Sequence, residues 1–351
     1  MKVMHLLQSS RFSGAENVVC QIISMYKESD IEFIYCSREG QIKEALEERG
    51  VRHNLMTEFS VSEIKRVIKE EKPDIIHAHD MKASFFAALI CKKTPLISHI
   101  HNNSFDSRGL SIKSILYFFT GLKSKHIFWV SKSAYYGYKF HKSLENKSNV
   151  LYNIIDVDAL NEKVELDKKE YNYDIVYLGR LSTPKNPHRL LKVFEKILEK
   201  RPKTKIAMIG TGEMEEEIKA EIFSNKNLSN VSFLGFNSNP YKILKDSKVM
   251  IMTSRWEGTP MCALEAMALG VPIVSTPTDG LKELVEFGIT GYLSDDDQCL
   301  ADSCLDIVSS KELRRNMSNS SIIKSRKMNN IENYKSKLDY IYSNSIKRWG
   351  I

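Results

Sequence analysis

The chain has 351 residues, enough for two domains of ordinary size, and 42% hydrophobic with 27% charged residues is the balance of a globular protein. A net charge of +7 suits nucleotides, phosphates or an anionic membrane surface, but there is no basic low-complexity tail of the kind that binds nucleic acid. Six scattered cysteines without a C-x-x-C pair read as free thiols rather than a disulfide frame or a metal site.

In chain order, "KVMHLLQ" reads as a strand, followed by a Ser/Gly loop and a helix from about Ala15 to Lys27. "IEFIYC" and "VRHNLM" are the next expected strands, with a helix from Glu39 to Arg49 between them. "DIIHAH", "PLISHI", "HIFWVS" and "NVLYNIID" continue the alternation. Short apolar strands alternating with helices predict a parallel sheet covered on both faces. The stretch "DALNEKVELDKKEYNYD" (Asp158 to Asp174) lacks an apolar stripe and reads as a linker. The alternation then restarts with "IVYLGR", "KIAMIG", "VSFLGF", "VMIMTS" and "VPIVST". Two such alternations predict two Rossmann-like α/β domains with a ligand cleft between them. The expected boundaries are 1–160 and 172–330, with a linker at 161–171. A terminal helix at about 331–351 is expected to pack back onto the first domain. The N-terminus is too quickly polar for a signal peptide and no apolar run reaches membrane-spanning length, so a cytoplasmic location is expected, with peripheral contact at the membrane's inner face left open.

The chemistry gathers in "SRWEGTPMCALEAMALGVPIVST" (Ser254 to Thr276). Thr259 can cap a helix that begins at Pro260 and stops at Gly270. Glu257 then lies in the loop after a strand, and Glu265 lies inside an apolar helix, where a carboxylate is costly unless something polar meets it. "YLGRLSTPKNP" sets Gly179 and Arg180 directly after another strand, with Lys185 close behind, a combination suited to a diphosphate. "IGTGEMEE" adds a glycine turn at Gly210. The helix start offers free N–H groups to a phosphate. "HAHD" (His77 to Asp80) and "HIH" (His99 to His101) raise a metal site, but no further ligand spacing supports one. "DDD" (Asp295 to Asp297) reads as a helix cap. "SIKSILYFFTGLKSKH" (Ser111 to His126) is a helix with Ile112, Ile115, Leu116, Phe119 and Leu122 near one face and lysines at 113, 123 and 125. It reads either as a core-packing helix or as an anionic-lipid contact.

From Tyr177 to Glu283 these motifs resemble the retaining GT-B glycosyltransferases of family GT4. Glu257 and Glu265 match that family's Glu-x7-Glu signature, and Arg180 and Lys185 match its basic pair for the donor diphosphate. "LYNIID" resembles the hinge-proximal Asn-Gly-x-Asp, with Ile154 in place of glycine, and "SSRFSGAENV" resembles the first glycine-rich loop, with Ser13-Gly14 where many members have two glycines. The resemblance implies a GT-B fold and transfer of a hexosyl group from a nucleotide sugar to an acceptor hydroxyl with retention, in capsule, O-antigen or exopolysaccharide assembly. It implies no metal or cofactor, a UDP-sugar ahead of a GDP-sugar, and a lipid-linked or oligosaccharide acceptor. By the same resemblance Glu257, Arg180, Lys185 and a cleft-facing His101 are the catalytic residues. Gly14, Gly179, Gly210, Phe236, Gly258, Thr259, Pro260, Met261 and Glu265 are the donor-binding ones, with Glu265 on the ribose hydroxyls. A nucleotide-sugar epimerase and a non-catalytic sugar-binding protein of the same fold are the alternatives.

Overall fold

The computed structural model describes residues 1–91, 93–102 and 107–347. The chain divides into two compact units, one of residues 1–154 with the chain from Asn330 onward, the other Ile155–Asn329. In the first unit the strands are β1 (Lys2–Leu6), β2 (Glu32–Cys36), β3 (Ile75–His79), β4 (Leu96–Ile100), β5 (His126–Trp129) and β6 (Ser148–Val150). In the second they are β7 (Ile175–Leu178), β8 (Ile206–Ile209), β9 (Val231–Gly235), β10 (Val249–Met252), β11 (Ile273–Ser275) and β12 (Gly291–Leu293). Both sheets are parallel, ordered β2-β1-β3-β4-β5-β6 and β12-β11-β10-β7-β8-β9.

Each order reverses once. In the first sheet the chain runs outward from β1 to β2, then returns to the other side of β1 with β3; in the second it runs β7 to β9 and returns beside β7 with β10. A doubly wound sheet binds ligands beyond the strand ends at that reversal, because the loops there diverge to opposite faces. In the second unit the reversal places the loops after β7 and β10 side by side, and these carry Arg180, Lys185 and Glu257.

The helices form where the sequence supplies caps and an apolar stripe. Helix Pro187–Lys200 starts with proline in its first turn and buries Leu190, Leu191, Val193, Phe194, Ile197 and Leu198 against the second sheet. Asp296, in the middle of "DDD", caps helix Asp297–Ser309 by accepting from the Cys299 N–H.

Several expectations are corrected. "VRHNLM" makes isolated bridges at His53 and Met56 rather than a strand. The stretch read as a linker contains helix Val157–Leu166, capped by Asp156 and belonging to the second unit. It buries only Leu160 and Val164, one residue per turn, a stripe too thin to see in the sequence. The unit boundary falls at 154/155 rather than 160. The terminal helix Ile331–Lys347 belongs to the first unit, where Tyr342 hydrogen-bonds His77 of β3 and Asp339 accepts from Tyr26; residues 348–351 of that expected helix lie outside the described residues.

Helix Ile112–Lys123 corrects the core-packing reading. It buries Ser114, Tyr117, Thr120 and Gly121. Tyr117 hydrogen-bonds Ser98 of β4, and Gly121 sits so close to Leu144 that a Cβ would fall 2.5 Å from its methyl. The helix docks through small and hydroxyl-bearing residues, which leaves the apolar stripe outside, with Ile112 80% and Phe119 57% exposed. Among the described residues no helix is long and apolar enough to cross a membrane.

Candidate active site

The second unit's site is built by the loops after β7 and β10. After β7 the backbone turns at Gly179, whose N–H donates to Ile209 O. Gly210, after β8, has φ +137°, and a Cβ there would lie 1.9 Å from Gly179 O. Glycine at 210 is therefore required by the close approach of two loops. Arg180 is exposed, and its carbonyl accepts from the buried Tyr177 hydroxyl at 3.0 Å. Lys185 ends a short helical turn, and Asn186, with φ +54°, swings the chain into the next helix.

Lys185 and Glu257 are 72 positions apart, yet Lys185 Nζ donates to Glu257 Oε1 at 2.6 Å. Burial pulls the Lys185 ammonium toward neutrality, but the Glu257 carboxylate more than offsets this, and the net shift is upward. The cation is thereby held charged in a half-buried place. Gly258 packs against Gly280, where a Cβ would lie 1.5 Å from the Gly258 carbonyl.

The next helix is Met261–Ala268, with Pro260 as its cap residue (φ −68°, ψ 125°), one position later than the sequence predicts. Proline has no capping side chain, so the first-turn N–H groups lack a side-chain cap, and a helix start of this kind can take an anion. Thr259 and Met261 are buried beside it, and Phe236, after β9, is 67% exposed. Glu265 is 6% exposed on this helix. Burial raises its carboxyl to about 7, opposed by a hydrogen bond from the Tyr241 hydroxyl at 3.2 Å and by the charge of Lys163. A carboxylate with one long hydrogen bond in an apolar helix has acceptor capacity left for a ligand hydroxyl pair.

The first unit has a different arrangement at its strand ends. Gly14 is the first residue of helix Gly14–Met25, and a Cβ on it would meet nothing within 4 Å. Register pairs His5 with His77 and His79 with His99, so imidazoles from β1, β3 and β4 share one face. His5 Nδ1 and His79 Nε2 are 2.8 Å apart, and His79 Nδ1 and His101 Nε2 are 2.7 Å apart. Each such contact holds one proton, so His79 donates at one nitrogen and accepts at the other. His101 therefore turns Nε2 inward to His79, while its Nδ1 is buried. Burial holds His5 and His101 at about 3, and His77, His79 and His99 well below the usual imidazole range. Nitrogens of His5, His77 and His79, and of His79, His99 and His101, come within 4.8 Å of one another. Within these groups the rings stack at interplanar angles of 22° for His77–His79 and 29° for His99–His101.

Several residues of these sites were not read from the sequence. Ser254 also donates to Glu257 Oε1, and stands within the quoted motif. Lys163 and Tyr241 sit beside Glu265, Lys163 coming from the stretch taken as a linker. Asp80 adopts φ +65° at the junction of β3 and the following helix and accepts from the His101 N–H at 3.0 Å. Burial raises Asp80 to about 6. A non-glycine residue in the left-handed region at a strand end is a recognisable site signal, but only in three dimensions.

Two doubly wound units, one with a basic and carboxylate site at its reversal point, define a GT-B protein. The chain belongs to the glycosyltransferases: the model "Glycosyl transferases group 1" matches residues 158–323 and "Glycosyltransferase Family 4" matches residues 12–159. An uncharacterised glycosyltransferase of Methanocaldococcus jannaschii is 30% identical over 235 residues, which are 61% of this chain and 58%, under two thirds, of that protein. The UDP-Gal:alpha-D-GlcNAc-diphosphoundecaprenol alpha-1,3-galactosyltransferase of Escherichia coli is 24% identical over 326 residues, 84% of each chain. In fold, the chain is similar to HepE of Anabaena, solved in complex with UDP-glucose, with a TM-score of 0.86 at 20% identity over 98% of this chain and 100% of that one.

Proposed function

We propose that the protein transfers a hexosyl group from a nucleotide sugar, a UDP-sugar ahead of a GDP-sugar, to an acceptor hydroxyl with retention of configuration and without a bound metal. The observation that carries this reading is the part-buried Lys185–Glu257 contact near the start of helix Met261–Ala268, which has no side-chain cap. Lys185, Arg180 and the helix N–H groups meet the diphosphate and stabilise the charge that grows on it as the glycosidic bond breaks. Glu265 accepts from the ribose diol, and Glu257 faces the sugar. The acceptor oxygen bonds to the anomeric carbon on the face from which the diphosphate departs, and the departing phosphate oxygen takes the acceptor's proton, which gives retention. The HepE complex with UDP-glucose and the diphosphoundecaprenol-directed galactosyltransferase support a UDP-sugar donor and a lipid-linked acceptor in surface-polysaccharide assembly.

The exposed stripe of helix Ile112–Lys123, with Leu110 before it and Lys113, Lys123 and Lys125 around it, favours contact with an anionic membrane from the cytoplasmic side. Sedimentation with anionic liposomes is expected, and Phe119→Glu should abolish it; a folded Phe119→Glu protein that still sediments would remove the membrane reading.

The test of the reaction is a panel of UDP-, GDP- and ADP-sugars incubated with the protein in excess EDTA, with nucleotide release and the anomeric form of the product followed by NMR. Turnover that needs an acceptor, survives EDTA and keeps the donor's configuration is the expected result. Turnover only on adding Mg²⁺ or Mn²⁺ would sink the metal-free mechanism, and a changed sugar without an acceptor would make the protein an epimerase.

A further inference from the structure

Two donors meet at one carboxylate oxygen in the second unit. Lys185 Nζ and Ser254 Oγ each lie 2.6 Å from Glu257 Oε1. Glu257 is 8% exposed and Ser254 3%. The loop that carries Ser254 is fastened by other bonds: Thr276 Oγ1 donates to Ser254 O at 2.7 Å, Arg255 N to Pro184 O at 2.8 Å, and Thr253 Oγ1 to Asn186 O at 3.2 Å. The Ser254 hydroxyl is thus spare to the loop's own architecture and directed at Glu257.

In this structure Lys185 is committed to Glu257. A diphosphate carries more negative charge than a carboxylate and draws the ammonium toward itself. Moving Lys185 would leave a buried carboxylate oxygen without a donor, which is strongly unfavourable, unless another donor stays behind. Among the described residues Ser254 is the donor that can stay. We propose that Ser254 is a positioning residue that holds Glu257 Oε1 while Lys185 is handed to the diphosphate of the nucleotide. The inference rests on the nucleotide-sugar reading of this site.

The experiment is a double-mutant cycle on UDP binding by calorimetry, using the full chain as wild type, Ser254→Ala, Glu257→Gln and the double variant. Ser254→Ala should weaken UDP binding about 10-fold, because Lys185 is then held back on Glu257. In the Glu257→Gln background, where no carboxylate holds the ammonium, the same Ser254→Ala change should shift the dissociation constant by less than about twofold. Ser254→Thr, which keeps a hydroxyl, should bind within about threefold of wild type. Thermal unfolding of each variant checks folding, and a Ser254→Ala chain that fails to fold is replaced by Ser254→Cys, a weaker donor of similar size with the same expectation. An equal loss in both backgrounds would make Ser254 a structural residue and overturn the proposal, as would no loss in either. A wild-type chain that binds none of UDP, GDP and ADP would fell the nucleotide-sugar reading and this inference with it, whereas binding without the cycle fells the inference alone.

Discussion

At the reversal point of the first sheet, β1, β3 and β4 end in stacked, neutral imidazoles. At that of the second, the loops after β7 and β10 present Arg180, Lys185 and Glu257. The strand orders differ, 2-1-3-4-5-6 in the first sheet and, counted from β7, 3-2-1-4-5-6 in the second, but each reverses once, so the two reversal points are comparable places at which the side chains set the chemistry. In the second unit a half-buried cation is kept charged by a carboxylate in contact with it. In the first, the histidines face one another, with no carboxylate among their described hydrogen-bond partners except where Asp80 takes the His101 backbone N–H, and burial discharges them. A buried ionisable group keeps its charge only where an opposite charge or several hydrogen bonds replace water.

The largest expected effect follows from removing the charged member of that contrast. Lys185→Ala should reduce turnover at saturating donor by about 10²–10³-fold, on the order of 2.7–4 kcal/mol of transition-state stabilisation. The smaller change is expected in donor affinity. If kcat stays near native and only KM rises, the cation binds the ground state and the comparison loses its catalytic half.

Glu265→Ala should weaken UDP binding by roughly 1.5–3 kcal/mol through loss of a charge-assisted ribose contact. Its carboxyl, raised by burial to about 7, also makes binding pH-dependent. Ribose hydroxyls donate best to the ionised form, so affinity should fall as pH drops from 8 to 6, and Glu265→Gln should flatten that slope. Titration calorimetry at three pH values reads both; a wild-type affinity independent of pH would break the assignment. The folded carboxyl binds its proton more tightly than the unfolded one, whose ordinary value is 4.5, so this residue's contribution to stability is lost as pH rises from about 4.5 to 7.

The histidine layer predicts the opposite sign in the first unit. His5 and His101 titrate at about 3 when folded and at 6.5 when unfolded, so the unfolded chain binds more protons between those values. Stability is complete above 6.5 and is lost as pH falls toward 3. Each such imidazole costs about 1.4 kcal/mol at pH 5.5. Hydrogen exchange resolved by peptide should show β1, β3 and β4 losing protection from pH 7 to 5.5 while β8 and β10 hold. Equal loss in both sheets would mean that the histidines do not set the acid sensitivity.

Much of the architecture was legible. Short apolar runs separated by helix-length stretches gave two parallel sheets, since strands buried on both faces must be apolar at nearly every position. The strand ends could be located, and with them Gly179, Arg180 and Glu257, because glycine, proline and a polar break mark where a strand stops, while Glu265 stood out as a carboxylate inside an apolar helix. Helix Val157–Leu166 was missed because its burial comes from two residues that matter only once the chain beyond β9 packs on them.

Sequence alone determined which residues stand at strand ends and which of them carry charge, since periodicity and composition are local properties. Only the tertiary structure decided what they meet. That Lys185 and Ser254 share one oxygen of Glu257 depends on β10 lying beside β7, a pairing set by the order of the sheet. That five histidines form one layer depends on the register of three strands. That helix Ile112–Lys123 turns its apolar stripe outward depends on Gly121 and Tyr117 fitting Leu144 and Ser98. Close packing picks the face whose shape fits, and for this helix the smaller, hydroxyl-bearing face fits better than the greasier one.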